Sequence, residues 1–193
     1  MERSPVFTPR PQAYAVKAGD TLYSIGWRFG LDVQGLARAN GLRPPYTIYP
    51  GQDVRLVVQL QPDRLTKPSV PPPKANLSWR WPTKSRVVRD YGRGTKGIDF
   101  LVDSGTAVGA SAKGEVVYAG TGLGGFEHLV IIKHDARYLS AYSVNQPLLV
   151  SEGQRLSAGQ TLANVSNKGR TAQSLHFEIR RDGEPVSPRS LLK

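Results

Sequence analysis

The chain has 193 residues, of which 39% are hydrophobic, and it carries a formal net charge of +11 at pH 7. No apolar run reaches the roughly 18 residues that span a bilayer, and the absence of cysteine excludes disulfides, thiolate zinc sites and cysteine nucleophiles. The basic residues are spread along the chain instead of forming a block. This argues against nucleic-acid binding and fits either simple solubility or a surface beside polyanions such as an acidic cell wall or membrane face.

Two stretches predict no regular structure. Residues 1–12 read as a disordered tail without a signal peptide, so a targeting segment or lipid-bearing cysteine, if the protein has one, is missing from this chain. Residues 59–78 read as a semi-rigid spacer, since positions 61–78 hold five of the 15 prolines and lack apolar periodicity. The spacer separates an N-terminal module, residues 13–58, from a C-terminal domain, residues 79–193.

The sequence of the N-terminal module predicts a βααβ order of elements. Its elements are a strand at Tyr14–Lys17, a helix capped by Asp20 or Thr21 and ended by Gly30, a helix from Asp32 to Asn40-Gly41, and a strand at about Asp53–Val58. Apolar residues at helical spacing mark the inward faces of the helices: Leu22, Ile25 and Phe29 on the first, Val33, Leu36 and Ala37 on the second.

These residues resemble the LysM family. The matching pieces are Val16-x-x-Gly19-Asp20-Thr21-Leu22-x-x-Ile25, Leu36-x-x-x-Asn40 and Ile48-x-Pro50-Gly51-Gln52. The resemblance implies binding of N-acetylglucosamine units of peptidoglycan or chitin in a shallow groove formed by Gly19, Asp20, Thr21, Leu22, Ile48, Tyr49, Pro50 and Gly51. Each of these residues also has a local explanation, because Asp20 and Thr21 can cap, Ile48 can pack and Pro50-Gly51 can turn.

The sequence of the C-terminal domain predicts an all-β, antiparallel fold. Glycine-rich turns separate short alternating runs such as GEVVYAGTG, EHLVIIKH and YLSAYSV. The run SLHFEIR places Ser174, His176 and Glu178 on one face of a strand and its apolar residues on the other. A lone histidine on that polar face could be a metal ligand, the remnant of one, or an ordinary half-buried residue.

The same domain resembles the LytM, or lysostaphin-type, metallopeptidases. The ordered matches include Trp81-Pro82, Gly97-Ile98-Asp99, Gly105-Thr106, Ala112-x-Gly114-Glu115, Gly153-Gln154 and Leu175-His176-Phe177-Glu178-Ile179-Arg180. Active members of that family bind zinc through a His and an Asp four residues apart and the second His of His-x-His. Two further histidines, the first of His-x-His and one in Tyr-Ala-His, assist the reaction.

Several of these positions are altered here. They fall on Thr95 and Asp99, on Ser174 and His176, and on Tyr142-Ser143-Val144, so two zinc ligands remain and both assisting histidines are replaced. The other histidines, His128 and His134, read as solvated residues at strand ends. We therefore predict no bound zinc or other cofactor and no peptidase activity. Asp99 and His176 are then remnant ligands that hydrogen-bond to each other.

The whole arrangement resembles the NlpD-type activators of Gram-negative envelopes. This implies a non-catalytic periplasmic protein, in full-length form an outer-membrane lipoprotein, that binds peptidoglycan and activates N-acetylmuramyl-L-alanine amidases during daughter-cell separation. The partner-binding groove would comprise Thr95, Lys96, Asp99, Tyr142, Val144, Ser174, His176 and Arg180, with Lys96 and Arg180 available to acidic partner residues. Two alternatives stay open: a zinc endopeptidase with unusual ligands, and a wall-binding adapter without an enzymatic partner.

Overall fold

The computed structural model describes residues 11–56, 77–121, 127–166 and 173–193. The chain divides into two compact units, Met1–Gln61 and Pro62–Lys193. Most of the predicted tail (1–12) and of the predicted linker (59–78) lies outside the described residues. Within the described ranges, no helix combines the length and the apolar surface that a bilayer crossing requires.

The N-terminal unit has the predicted order of strand, helix, helix and strand. The elements are β1 (Ala13–Ala15), α1 (Leu22–Phe29), α2 (Val33–Ala39) and β2 (Asp53–Arg55). The two strands pair antiparallel, with Tyr14 opposite Val54. β1 ends at Ala15 instead of Lys17 because the chain turns there, and Asp20 N donates to Lys17 O over 3.1 Å. The predicted end of the last strand, residues 57–58, lies outside the described residues.

Side-chain caps set the limits of both helices. The Thr21 hydroxyl accepts from Ser24 N over 3.0 Å, and the Ser24 hydroxyl accepts from Thr21 N over 3.0 Å, which forms a capping box. Gly30 ends α1 in the left-handed conformation, with φ 62°. The Asp32 carboxylate accepts from Gly35 N over 2.6 Å at the start of α2. The predicted helix boundaries are confirmed, with Thr21 as the cap of α1.

The core of this unit forms between the helices and the β1–β2 pair. Its most buried side chains, each at most 1% exposed, are Leu22, Ile25, Leu36, Val54 and Leu56. Phe29, predicted to face inward, is half-buried and sets its ring edge against Tyr14 at a centroid distance of 5.4 Å. Full burial of an aliphatic side chain stabilises the fold by about 1.5–3 kcal/mol, so this small core depends on a few residues.

The C-terminal unit is built from antiparallel strands. They are β3 (Arg86–Arg89), β4 (Ile98–Val102), β5 (Ala107–Gly109), β6 (Gly114–Thr121), β7 (His128–Lys133), β8 (Tyr138–Val144), β9 (Arg155–Leu156), β10 (Thr161–Asn164), β11 (Gln173–Arg181) and β12 (Glu184–Val186), followed by a 3-10 turn at Pro188–Ser190. In the described residues, an eight-stranded sheet has the order β3-β4-β11-β8-β7-β6-β9, with β12 beside β11, while β5 and β10 form a second sheet. The predicted mainly β fold class is confirmed.

One face of the large sheet forms the core of the C-terminal unit. Leu175, Phe177 and Ile179 alternate along β11 and are each 0% exposed. They pack in one cluster with Phe100 and Tyr142, whose ring centroid lies 5.1 Å from that of Phe177. A slip of one residue in strand pairing would turn this apolar row to the opposite face, so burial fixes the register.

The opposite face carries the polar side chains of β11. Directly paired residues on neighbouring strands project to the same face. His176 pairs with Asp99 on β4 and with Ser143 on β8, so these three residues share the polar face. Val144 pairs with Leu175 and therefore shares the core face.

Candidate functional site

The pairing of β4 with β11 places Asp99 against His176. Gly97, just before β4, allows this close approach, because a Cβ atom there would lie 2.1 Å from Phe177 O. The His176 Nδ1 atom and the Asp99 Oδ1 atom are 2.6 Å apart. A carboxylate only accepts, so Nδ1 carries the proton and donates. The predicted hydrogen bond between these two residues is present.

This contact is the centre of a longer series of charged side chains. Asp99 Oδ2 lies 3.3 Å from Arg89 Nε. On the other side, His176 Nε2 lies 3.5 Å from Glu178 Oε2, and Arg180 Nε donates to Glu178 Oε1 over 2.7 Å. We call Arg89, Asp99, His176, Glu178 and Arg180 the charged row. Its two carboxylates each lie between the imidazole and a guanidinium.

The Glu178–Arg180 pair is the buried end of the charged row. Glu178 is 4% exposed and Arg180 is 5% exposed. A buried ion pair contributes little net stability because desolvation offsets the attraction, but removal of one partner leaves an uncompensated charge and costs about 3–5 kcal/mol. The pair therefore fixes both side chains in place on the polar face.

The protonation of His176 depends on the same neighbours. Burial lowers the pKa of His176. The hydrogen bonds to Glu178 and Asp99 and the negative charges of these two carboxylates together raise it by more, so the pKa lies above its ordinary value. A protonated imidazole has no lone pair for a metal. The charged row thus favours the imidazolium form, which competes with metal coordination.

The residues at the zinc-ligand positions fit a catalytic zinc ion poorly. Such a site needs three donors like His and carboxylate plus an open position for water. The first position holds Thr95, whose hydroxyl accepts from Gly97 N over 3.3 Å, and the oxygens of Asp99 face His176 and Arg89. Across the described ranges, no three His, Cys, Asp or Glu side chains are grouped so that they could hold a metal ion.

The structure brings together only part of the predicted partner groove. Lys96 and Ser174 are exposed, and Thr95 is half-buried. Tyr142 and Val144, at 1% and 4% exposed, lie in the core, because their register places them on the apolar face of the sheet. The expectation that Arg180 is open to an acidic partner is wrong, since Arg180 is buried against Glu178.

The two remaining histidines are not simply solvated. His134 is half-buried, with Nδ1 2.8 Å from Lys113 O, Nε2 2.7 Å from Ser140 Oγ, and its ring at a centroid distance of 4.6 Å from Trp79. Burial lowers the pKa of His134 to about 4, against the raising effects of the Lys113 carbonyl and Asp135. His128 is half-buried, and its Nδ1 atom is buried without a hydrogen-bond partner in the described part of the chain. The prediction of solvated strand ends is wrong for both.

Two members of the charged row were missing from the predicted site. Glu178 could have been included, because the period of two places it on the face of His176. Arg89 had no such signal. It reaches Asp99 through a register shift between Val87 and Arg89 on β3, which the alternation of apolar residues does not reveal.

In the N-terminal unit, backbone hydrogen bonds join the two predicted glycan-binding loops. Val16 N donates to Gln52 O and Gly51 N donates to Val16 O, each over 2.8 Å. Residues 48–51 therefore lie beside the strand end from which residues 17–22 turn into α1. Gly19, Tyr49, Pro50 and Gly51 are exposed, and Ile48 is half-buried.

The polar and apolar side chains of the first loop serve the fold. Asp20 Oδ2 accepts from Tyr14 Oη over 2.8 Å and from Lys17 N over 2.9 Å. Thr21 caps α1, and Leu22, at 1% exposed, lies in the core. This leaves Tyr49, which is 67% exposed, as the large apolar surface of the two loops. An exposed aromatic ring beside backbone polar groups is suited to stack on a sugar ring.

Comparison with known families assigns both units. Residues 14–56 match the LysM domain, and residues 93–188 match Peptidase family M23. The first match covers both glycan-loop segments, and the second covers every member of the charged row except Arg89.

Three curated relatives align over 91% of this chain. The lipoprotein NlpD/LppB homolog of Pseudomonas aeruginosa is 37% identical, with 75% of its length covered. The uncharacterized lipoprotein YgeR of Escherichia coli K12 is 36% identical, with 78% covered. The murein hydrolase activator NlpD of Escherichia coli K12 is 31% identical, with 66% covered.

Solved structures share the fold of the C-terminal unit. A peptidase M23 from Pseudomonas aeruginosa matches 61% of this chain and 51% of its own, with a TM-score of 0.53 and 23% identity. A zinc-containing peptidase from Vibrio cholerae matches 57% of this chain and 39% of its own, with a TM-score of 0.50 and 22% identity. At this level of identity the similarity establishes the fold alone.

Proposed function

The chain belongs to the NlpD family, which joins a LysM domain to an M23 peptidase domain, and from this we propose that it is a non-catalytic activator of N-acetylmuramyl-L-alanine amidases in cell-wall splitting. Relatives in this family are named murein hydrolase activators. The LysM domain supports peptidoglycan binding. Several relatives are named lipoproteins, which supports an envelope location, and we propose that the protein lies in the periplasm, attached to the outer membrane.

The charged row is the observation that carries the non-catalytic assignment. Its imidazole faces a carboxylate at each ring nitrogen, and both carboxylates also contact a guanidinium. The third donor position holds Thr95. Losing one ligand forfeits several kcal/mol of the roughly 10–16 kcal/mol that a structural zinc site provides. Two donors that already bond to each other therefore do not retain zinc, and without zinc there is no activated water for peptide hydrolysis.

The partner surface is proposed around the exposed residues beside the charged row. Ser174 and Lys96 are exposed, and Thr95 is half-buried. Small or flexible side chains at these positions leave room for a segment of the amidase above the row. Activation requires that this surface binds the open state of the amidase more tightly than the closed state, by a few kcal/mol.

The proposed glycan site is the pair of loops in the N-terminal unit. Tyr49 supplies a stacking surface, and the backbone of Gly19, Pro50 and Gly51 supplies polar groups for the acetamide of N-acetylglucosamine. The groove is small, so one module binds weakly. Its role is to raise the local concentration of the C-terminal unit on the cell wall.

Amidase stimulation on dye-labelled sacculi tests the proposal. Wild-type protein is expected to raise dye release by a purified amidase, and Ser174→Arg is expected to abolish the increase. Ser157→Arg, at another exposed serine of the same unit, is the matched control and should behave as wild type. Dye release that stays at the rate of the amidase alone contradicts activation and leaves the adapter alternative.

The endopeptidase alternative has its own readout. The chain alone is incubated with sacculi, the muropeptides are separated, and metal content is measured by mass spectrometry. We expect no cleaved cross-links and well below one zinc per chain. Cleaved stem-peptide bridges together with firmly bound zinc would overturn the non-catalytic assignment.

A further inference from the structure

We propose that a cleft on the C-terminal unit, separate from the charged row, binds a phosphoryl group. The cleft has a volume of about 350 Å³ and is lined by Lys113, Gly114, Glu115, Lys133, His134, Arg155 and Leu156. We call it the basic cleft. It lies where β6 pairs with β7 and β9, and β8 separates these strands from β11. It therefore has no residue in common with the proposed partner surface.

Strand register gathers the charged side chains of the basic cleft. Glu115 on β6 pairs with Arg155 on β9 and with Lys133 on β7. Directly paired residues share a face, so these three side chains form a row across neighbouring strands. Lys113 precedes β6 by one residue, and its carbonyl oxygen lies 2.8 Å from His134 Nδ1, which fixes this segment at the rim. Strand register thus sets the backbone positions of Lys133 and Arg155, and the half-buried His134 contacts the backbone of Lys113.

The charge of the basic cleft matches a dianion. Lys113, Lys133 and Arg155 contribute three positive charges, Glu115 contributes one negative charge, and His134 is neutral at physiological pH. A phosphate monoester carries nearly two negative charges, whereas a carboxylate carries one and would leave the cleft positive. The Arg155 fork can bond two phosphate oxygens, and each lysine acts as a point charge. The cleft is larger than a phosphate, so it also has space for the group that carries it.

Titration of the full chain with inorganic phosphate, at constant ionic strength and followed by amide NMR shifts, tests the proposal. We expect saturable shifts at Gly114, Lys133 and Arg155. Arg155→Gln and Lys133→Gln should each weaken binding about tenfold, the loss typical of a charge-assisted hydrogen bond. Lys84→Gln, at an exposed lysine of the same unit, is the matched control and should change nothing.

Glu115 gives a test in the opposite direction. Glu115 pairs with both Arg155 and Lys133 in the sheet, so its carboxylate repels a bound anion, and Glu115→Gln should tighten phosphate binding severalfold. Shifts that do not saturate, equal weakening by Lys84→Gln, or no effect of Glu115→Gln would each overturn the proposal, because they indicate general charge attraction without a site.

Vesicles then identify the source of the phosphoryl group. The chain is sedimented with vesicles that contain phosphatidic acid, whose head group is a phosphate monoester, or with vesicles of phosphatidylcholine alone. Binding to the phosphatidic acid vesicles that is lost in Arg155→Gln and displaced by inorganic phosphate supports a lipid head group as ligand. Saturable phosphate binding without vesicle binding supports a soluble phosphate ester. The amidase assay is independent of the anion titration and of the vesicle assay. A negative result in these two experiments therefore does not affect the proposed activator function.

Discussion

Acidification should destabilise the C-terminal unit through His134. Burial lowers the pKa of His134 to about 4 from its ordinary value of 6.5. The imidazole is neutral in the fold, with Nδ1–H directed at Lys113 O and Nε2 2.7 Å from Ser140 Oγ. In the unfolded chain the imidazole is free to protonate. Between pH 6.5 and 4 the unfolded state thus binds more protons, and stability is present in full above this window and lost as pH falls through it.

The size of the effect follows from the two pKa values. Each unit of pKa corresponds to about 1.4 kcal/mol, so the full window is worth about 3 kcal/mol, and the loss from pH 7 to pH 5 is about 2 kcal/mol. His176 acts in a different window. Its folded pKa is raised, so its stabilising contribution is complete below 6.5 and is lost as pH rises through the raised value. Acidification from pH 7 to pH 5 therefore increases the His176 contribution, so His176 does not account for a loss of stability over this range.

Urea unfolding at pH 7 and pH 5 measures this loss. A Trp27→Phe background confines tryptophan fluorescence to Trp79 and Trp81 of the C-terminal unit. His134→Gln retains a donor and an acceptor but cannot titrate, so its stability should change much less between the two pH values. An NMR titration placing the pKa of His134 near 6.5, or an equal pH dependence in His134→Gln, would refute the reasoning.

Three further predictions concern the remaining sites. Thr21→Ala should lower the free energy of unfolding of the N-terminal unit by about 1 kcal/mol in urea titrations, since the cap of α1 is lost, while Thr21→Ser should not. Arg180→Met should destabilise the C-terminal unit by about 3 kcal/mol because Glu178 is left buried without its guanidinium, and adding Glu178→Gln to Arg180→Met should restore much of that loss. Tyr49→Ala should weaken binding of a chitooligosaccharide about tenfold in calorimetry through loss of stacking, whereas Tyr91→Ala, at another exposed tyrosine, should leave it unchanged.

The fold of the N-terminal unit could be predicted almost completely because its signals are local. A threonine cap, a left-handed glycine and an aspartate cap act within four residues of their own position. The positions of the strand ends were predicted less accurately. β1 stops at Ala15 because Asp20 organises a turn at Lys17, and the sequence pattern of apolar residues continues past that turn.

The candidate site was predicted less completely because it depends on strand register. Motif positions place Tyr142, Ser143 and Val144 side by side, but the register assigns Ser143 to the face of His176 and the other two to the core. Alternation along β11 correctly groups His176 with Arg180. It does not reveal that the Arg180 end of this face is buried. Burial of a polar face is a tertiary property that no local pattern records.

The charged row supplies counter-charges for the two carboxylates of this face. Asp99 and Glu178 bring two negative charges to a partly buried surface, where unbalanced charge is costly. A metal dication would offset both charges. Arg89 and Arg180 supply the same total positive charge from two guanidiniums, and His176 bridges the carboxylates. The two guanidiniums thus offset the two carboxylates within the protein, and the exposed residues Lys96 and Ser174 are the ones that we propose for partner binding.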